Sequence, residues 1–386
     1  MSAHDRRAVR ACEPCLRRTW LVARLAGHLE LARHGGRAPG GRLREVLALD
    51  DEQLVRALAG EAHPRIVAEL EAVDAGALRH AVAAAGLAAA CRHDELYPER
   101  LRDLADAPAV LHVAGGLVAL RRLVGGTLDA GARAVAVVGT RRASPDGLEI
   151  ARGLGRGLAA AGITVVSGMA LGVDSAAHAG ALETGGPTLA VLGGGAERPT
   201  PAGHRALHRA LAERQAVVSE LPPGMRPHRW CFPARNRIIA ALSSMTVVVE
   251  AAERSGSLIT AEFAGDLGRD VGAVPGSPLA WRSTGTNALL RDGAILVRDA
   301  TDVLDAVLGA GAADGARAGG DAAARFAGLE PHLRRLLEAV AGGRDTVAAL
   351  ADVPSEVQDI VTCLTELELL GALRRAPGGR YVVSAP

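Results

Sequence analysis

The chain has 386 residues, 49% hydrophobic and 23% charged, an ordinary balance for a globular protein of two or three domains. Its 44 basic residues, all arginine, nearly cancel 43 acidic ones, and the net charge of +1 excludes a chain that is polybasic along its whole length. Only eight residues are aromatic, so leucine, valine and alanine must fill the core. The missing lysines point to a base-composition bias rather than selection for guanidinium chemistry.

The opening residues MSAHDRRAVRAC carry no apolar leader core, and no run reaches the 18 apolar residues of a spanning helix. Five cysteines, an odd number, argue against a disulfide framework. A cytoplasmic protein without membrane contact is expected.

Residues 1 to about 110 read as helical. LVARLAGHLELA, REVLALDDEQLVRALAG and PRIVAELEAV repeat apolar residues at three- and four-residue spacings. Cys12 and Cys15 form a C-x-x-C pair with no second pair behind it. Cys91 and His93 complete a metal site only if the fold brings them there, so no metal or other cofactor is expected.

From about residue 110 the period changes. AVAVVG, ITVVSG, TLAVLGGG, AVVSEL, MTVVVEA and DVGAVPG read as buried strands alternating with helical stretches. That alternation predicts an α/β fold: a parallel sheet covered on both faces, with ligands at the carboxyl ends of its strands. Residues 309–324 read as a Gly/Ala linker, and residues 325–386 as three helices with a two-strand wing around Pro377-Gly378-Gly379, a winged-helix pattern.

Three loops invite an anion. In VVGTRRAS, Gly139 ends a strand, and Arg141, Arg142 and Ser144 lead into a helix. A helix start offers free N–H groups, and an arginine adds a two-point phosphate contact; an ordinary turn with solvated arginines remains open. In VVSGMALGVDSAAH, Ser167 and Gly168 end a strand. Asp174 reads as an N-cap and His178 as a packed histidine, with acid–base partnership the lesser reading. Ser255-Gly256-Ser257 opens a further helix. GLGRGLAAAG resembles a dinucleotide fingerprint, but its glycines sit inside a helical period.

The strongest electrostatic asymmetry lies in residues 198–237, with eight arginines and two acids. It ends in HRWCFPARNR, where Trp230 and Phe232 sit among Arg229, Arg235, Asn236 and Arg237. Aromatics interleaved with arginines suit a single strand of nucleic acid, giving faces for bases and cations for phosphates; core filling is the competing reading.

VGTRRAS, SGMALGVDSAAH, FPARNRIIAALS, SGSLITAEFA, GRDVGAVPG and STGTNALLRDGA, in this order, closely resemble the DprA/Smf DNA-processing proteins. The resemblance implies an extended Rossmann domain over residues 95–308, flanked by a helical domain (1–94) and the winged helix. It implies a non-enzymatic protein that binds single-stranded DNA, forms a homodimer and hands DNA to the RecA recombinase in natural transformation. By motif, Arg141 and Arg235 become phosphate contacts, and Ser167, Gly168, Asn236, Arg237 and Ser255 to Ser257 fall in pocket segments. Met169, Val173 and Ala241 depart from the family pattern while keeping apolar character or small size. Two other functions compete. One is a nucleoside monophosphate phosphoribohydrolase using Glu250, Glu253 or Glu262, against which the paired-glycine loop is absent. The other is a transcription regulator, against which SEVQDIVTCLTELELL has no arginine.

Overall fold

The computed structural model describes residues 8–33, 41–125, 133–309, 329–341, 344–351, 357–370, 372–376 and 379–383. The chain forms two compact units, Met1–Val303 and Leu304–Pro386. No helix among the described residues is long and apolar enough to cross a membrane.

The first unit opens with helices α1 (Glu13–Arg24), α2 (Ala26–Arg33), α3 (Gly41–Ala48), α4 (Asp51–Leu58), α5 (His63–Glu71) and α6 (Ala75–Ala84). The apolar stripes of α1, α4 and α5 meet in a cluster of Leu21, Leu25, Leu54, Val55 and Ile66. The start of α4 is fixed by a capping box, in which Asp50 accepts from the Gln53 N–H at 2.8 Å and the Gln53 side chain accepts in return at 3.3 Å.

A nine-stranded sheet follows: β1 (Ala88–Cys91), β2 (Val110–Ala114), β3 (Ala134–Val138), β4 (Thr164–Ser167), β5 (Thr188–Val191), β6 (Ala216–Ser219), β7 (Met245–Val248), β8 (Asp270–Ala273) and β9 (Ile295–Leu296). Its order is β1-β2-β6-β5-β4-β3-β7-β8-β9. The seven strands from β6 to β9 run parallel, and β1 and β2 add an antiparallel edge. The chain builds outward from β3 through β4, β5 and β6, then returns to the other side of β3 with β7. The carboxyl ends of β3 and β7 therefore bound a topological switch point.

The helices on the two faces include α7 (Leu117–Val124), α8 (Pro145–Ala160), α9 (Val173–Glu183), α10 (Arg205–Arg214), α11 (Cys231–Leu242), α12 (Gly256–Asp266) and α13 (Thr284–Arg291), with α14 (Ala300–Leu308) after β9. The glycines of GLGRG lie within α8, and two of them, Gly155 and Gly157, serve packing. A Cβ at Gly155 would come 2.1 Å from the Ala177 carbonyl oxygen of α9.

All six strands expected from continuous apolar runs are present. β1, β2 and β9 are not legible that way, and the reading of residues 1 to about 110 as helical is corrected by β1, while β2 begins where that stretch ends. β1 is the tetrapeptide AAAC, and alanine favours helix; here pairing with β2 and complete burial decide the matter.

In the second unit, helices Pro331–Ala341, Val347–Leu350 and Val357–Leu369 precede an antiparallel pair, β10 (Leu373–Ala376) and β11 (Arg380–Val383). Leu333, Leu337, Leu364, Leu367 and Tyr381 fill its own core. This is the element order of a winged helix. Except for Gly309, the expected linker 309–324 lies outside the described residues, as do Pro377 and Gly378.

Candidate nucleic-acid interface

A cavity of about 740 Å³ opens at the switch point. Arg141, Arg229 and Arg254 stand exposed around it, Phe232 and Asn236 line it, and Arg235 lies at its floor. Ser255, Gly256 and Ser257, the start of α12, form one wall.

The loop after β3 is seated by Gly139, where a Cβ would come 2.6 Å from Val173 Cγ2. Beyond it Arg141 places its guanidinium 4.9 Å over the Phe232 ring, a cation–π contact at the cavity edge. Arg142 and Ser144 do not line the cavity. Ser144 caps α8 by accepting from the Gly147 N–H at 3.0 Å. Its own N–H donates to Glu250 Oε2 at 2.9 Å, and its hydroxyl donates to Glu250 Oε1. A Cβ at Gly147 would meet the Glu250 carboxyl carbon at 2.5 Å, so that glycine makes room for the carboxylate. The anion expected at this helix start is thus the protein's own Glu250.

The loop after β4 is organised around Arg235. Ser167 is fully buried and donates to the Val137 carbonyl at 2.6 Å. Arg235 Nη1 donates to the carbonyls of Gly168, at 2.7 Å, and Val191. Its Nε donates to Asn236 Oδ1 at 3.2 Å. A Cβ at Gly168 would fall 2.0 Å from that Nη1, so only glycine admits the guanidinium. Burial lowers the Arg235 pKa to about 10, with Asp174 opposing the fall, so it remains a cation at neutral pH.

Asp174 accepts from the N–H groups of Gly168, at 3.1 Å, and Ala170, at 3.4 Å. Burial pushes its pKa up, and Arg235 counters this. The expected N-cap is displaced: α9 is capped by Gly172 at a φ of 81°, which no side chain reaches easily, and Asp174 sits in the first turn. His178 bonds Thr188 Oγ1 at 2.7 Å, and burial holds its pKa near 3, so it is a packed neutral histidine.

Trp230 and Arg237 are not at the cavity. Trp230 is 0% exposed, and its indole N–H donates to the Ala26 carbonyl at 3.0 Å, locking the start of α11 to α2. A ring with no exposed face stacks on no base, which corrects the stacking role expected for it. Arg237 is 1% exposed and donates to both Glu220 oxygens, at 2.8 and 2.7 Å, with Asp106 2.7 Å from its Nε. Burial works against its charge, but the two carboxylates overcome this and hold its pKa above the ordinary value. Both of its carboxylate partners are internal, so it is a scaffold cation rather than a surface contact.

The sequence reading missed two elements. Arg254 immediately precedes the Ser255 cap, and a cation beside a helix start was a usable signal. Trp281 is 52% exposed, with the Arg282 guanidinium 4.5 Å over its ring. Arg282 also donates to the Arg142 carbonyl at 2.9 Å, which brings this aromatic–arginine pair beside the β3 loop. Trp281 stands outside the helical and strand patterns, so only tertiary structure places it there.

Parallel sheet, two helical layers and a cationic cavity at the switch point define a Rossmann-like α/β protein. The profile of the DNA recombination-mediator protein A family matches residues 88–308, and the chain belongs to this family, the DprA/Smf DNA-processing proteins. It is similar to the DNA processing protein DprA of Streptococcus pneumoniae, 42% identical over 211 residues that cover 55% of this chain and 71% of that protein. It is also similar to the protein Smf of Escherichia coli, 38% identical over 294 residues covering 74% of each. Two Mycobacterium tuberculosis relatives are 49% identical over 175 residues, and there the chain spans only 45% of the relative's length. The crystal structure of the Streptococcus pneumoniae DprA superposes with a TM-score of 0.59 at 32% identity, covering 75% of this chain and 95% of that one.

Proposed function

We propose that this protein binds single-stranded DNA across the switch-point cavity and acts without catalysis as a cytoplasmic, homodimeric mediator that loads RecA during uptake and recombination of DNA. The observation that carries the reading is the charge of the cavity. Three exposed arginines and one buried arginine face a single lining carboxylate, Asp174, which is occupied by main-chain N–H groups. Phosphates follow cations, and flat rings receive bases. Phe232 lines the cavity, and Trp281 lies beside the adjoining loop. The RecA partner and the dimer rest on family membership.

The phosphoribohydrolase reading needs a free carboxylate in the cavity. Glu250 is taken up by Ser144, and Glu253 and Glu262 do not line the cavity. Binding of oligo-dT, blunt duplex and a nucleoside monophosphate at matched salt tests the proposal. Oligo-dT should bind best, and Trp281→Ala should weaken it by about 1–3 kcal/mol without loss of stability. Equal affinity for duplex, or release of free base from the monophosphate, would overturn the reading. Faster RecA assembly on the bound oligonucleotide tests the partner.

A further inference from the structure

The fold brings together four side chains that the DNA-binding reading leaves unused. Cys12 caps α1 and Cys15 lies in its first turn, while Cys91 ends β1 and His93 follows in the next turn. The four ligand atoms, one from each residue, all lie within 4.8 Å of one another. His93 Nδ1 is 3.4 Å from both Cys12 Sγ and Cys15 Sγ, and Cys91 Sγ is 3.7 Å from Cys12 Sγ.

We propose that these residues bind one structural zinc ion in a Cys3His site. Tetrahedral zinc, with bonds of about 2.3 Å to sulfur and about 2.0–2.1 Å to nitrogen, sets its ligands about 3.8 Å apart between sulfurs and about 3.6 Å between sulfur and nitrogen. The observed 3.7 and 3.4 Å match those edges. Disulfide sulfurs would lie about 2.05 Å apart, and the cysteines are free. A spread of 4.8 Å holds one ion and is too small for a cluster of several irons and sulfides. Four protein ligands close the coordination sphere, which marks a structural rather than a catalytic site. Binding forms three Zn–S bonds and one Zn–N bond and releases the protons of the thiols.

The site has a mechanical role. It joins the start of α1 to the outermost strand of the sheet, 79 residues away along the chain. The same junction has main-chain bonds from Arg10 N–H to the Ala89 carbonyl at 2.8 Å and from Ala89 N–H to the Ala8 carbonyl at 3.0 Å. Arg10 also pairs with Asp94 at 2.7 Å. The edge strand β1 is thereby covered rather than left open to another chain.

The test uses the full-length protein, reduced and loaded with zinc, then dialysed against metal-free buffer. Elemental analysis should find one zinc per chain. Cobalt in its place should give thiolate-to-metal charge-transfer absorption and the intense visible bands of a tetrahedral ion. Cys15→Ser should lose the metal, while Cys363→Ser should keep it. Should Cys15→Ser fail to fold, His93→Gln serves instead, because His93 is exposed; it should weaken zinc binding at least tenfold and alter the cobalt spectrum. Stripping zinc with a chelator should lower the melting temperature. No retained zinc and no cobalt–thiolate band in natively folded protein would overturn the site. An unchanged melting temperature on stripping would overturn its structural role.

Discussion

Two helices start at the switch point with nearly the same local chemistry, and the protein uses them in opposite ways. α8 begins with a capping serine, Ser144, behind a loop carrying Arg141 and Arg142; α12 begins with a capping serine, Ser255, behind Arg254. At α8 the Glu250 carboxylate, carried in from the end of β7, takes the Ser144 N–H and hydroxyl. At α12 no carboxylate intervenes, and Ser255 to Ser257 open into the cavity. A helix start attracts an anion through its unpaired N–H groups and its dipole, and it is a ligand site only where the protein has not already supplied the anion. Each pole also has its own glycine: Gly147 admits Glu250 at the closed one, and Gly168 admits Arg235 at the floor of the open one.

The sharpest test removes the floor. Arg235→Ala leaves the Gly168 and Val191 carbonyls without their donor and Asp174 without the cation that opposes its burial penalty. Stability should fall by about 3–5 kcal/mol in urea denaturation, with loss of DNA affinity at physiological temperature. A loss below about 1 kcal/mol would show that the open pole does not depend on this arginine.

Glu250→Gln addresses the closed pole. It keeps one acceptor near Ser144 but discards the charge, and should cost about 1–2 kcal/mol. Affinity for oligo-dT should rise, since a repelling carboxylate beside the Arg141 loop is gone. Weaker DNA binding with unchanged stability would break the comparison, because it would make Glu250 part of the ligand site.

The smallest effects separate the exposed arginines. Arg141→Ala and Arg254→Ala should each leave stability within about 0.5 kcal/mol and flatten the dependence of log affinity on log salt by roughly 0.7. Arg142→Ala, outside the cavity, should leave the slope unchanged. Equal flattening by all three would show that loop charge rather than the cavity governs binding.

How much of this was legible varies by residue. Arg141 and Ser255 to Ser257 were singled out because each adjoins a strand end or a helix start, and Phe232 because it stands among arginines; these are local signals, and all five residues line the cavity. Trp230 and Arg237 come from the same short run as Phe232 and Arg235, yet one binds the Ala26 carbonyl of α2 and the other pairs with Glu220 and Asp106. Position in a motif states which residue types are near one another along the chain, not which way each side chain turns.

Continuous apolar runs, most of them ending in glycine or serine, determined the six central strands and that they lie in a parallel sheet, because burial on both faces demands continuous hydrophobicity. The sequence also determined the family, through the order of its motifs. Tertiary structure alone decided that an alanine tetrapeptide becomes a strand, that Glu250 closes one helix start, that Trp281 stands beside the loop after β3 and that Cys12 and Cys15 meet Cys91 and His93. Each of these depends on a partner tens of residues distant, and periodicity encodes the face that must be buried without naming what will cover it.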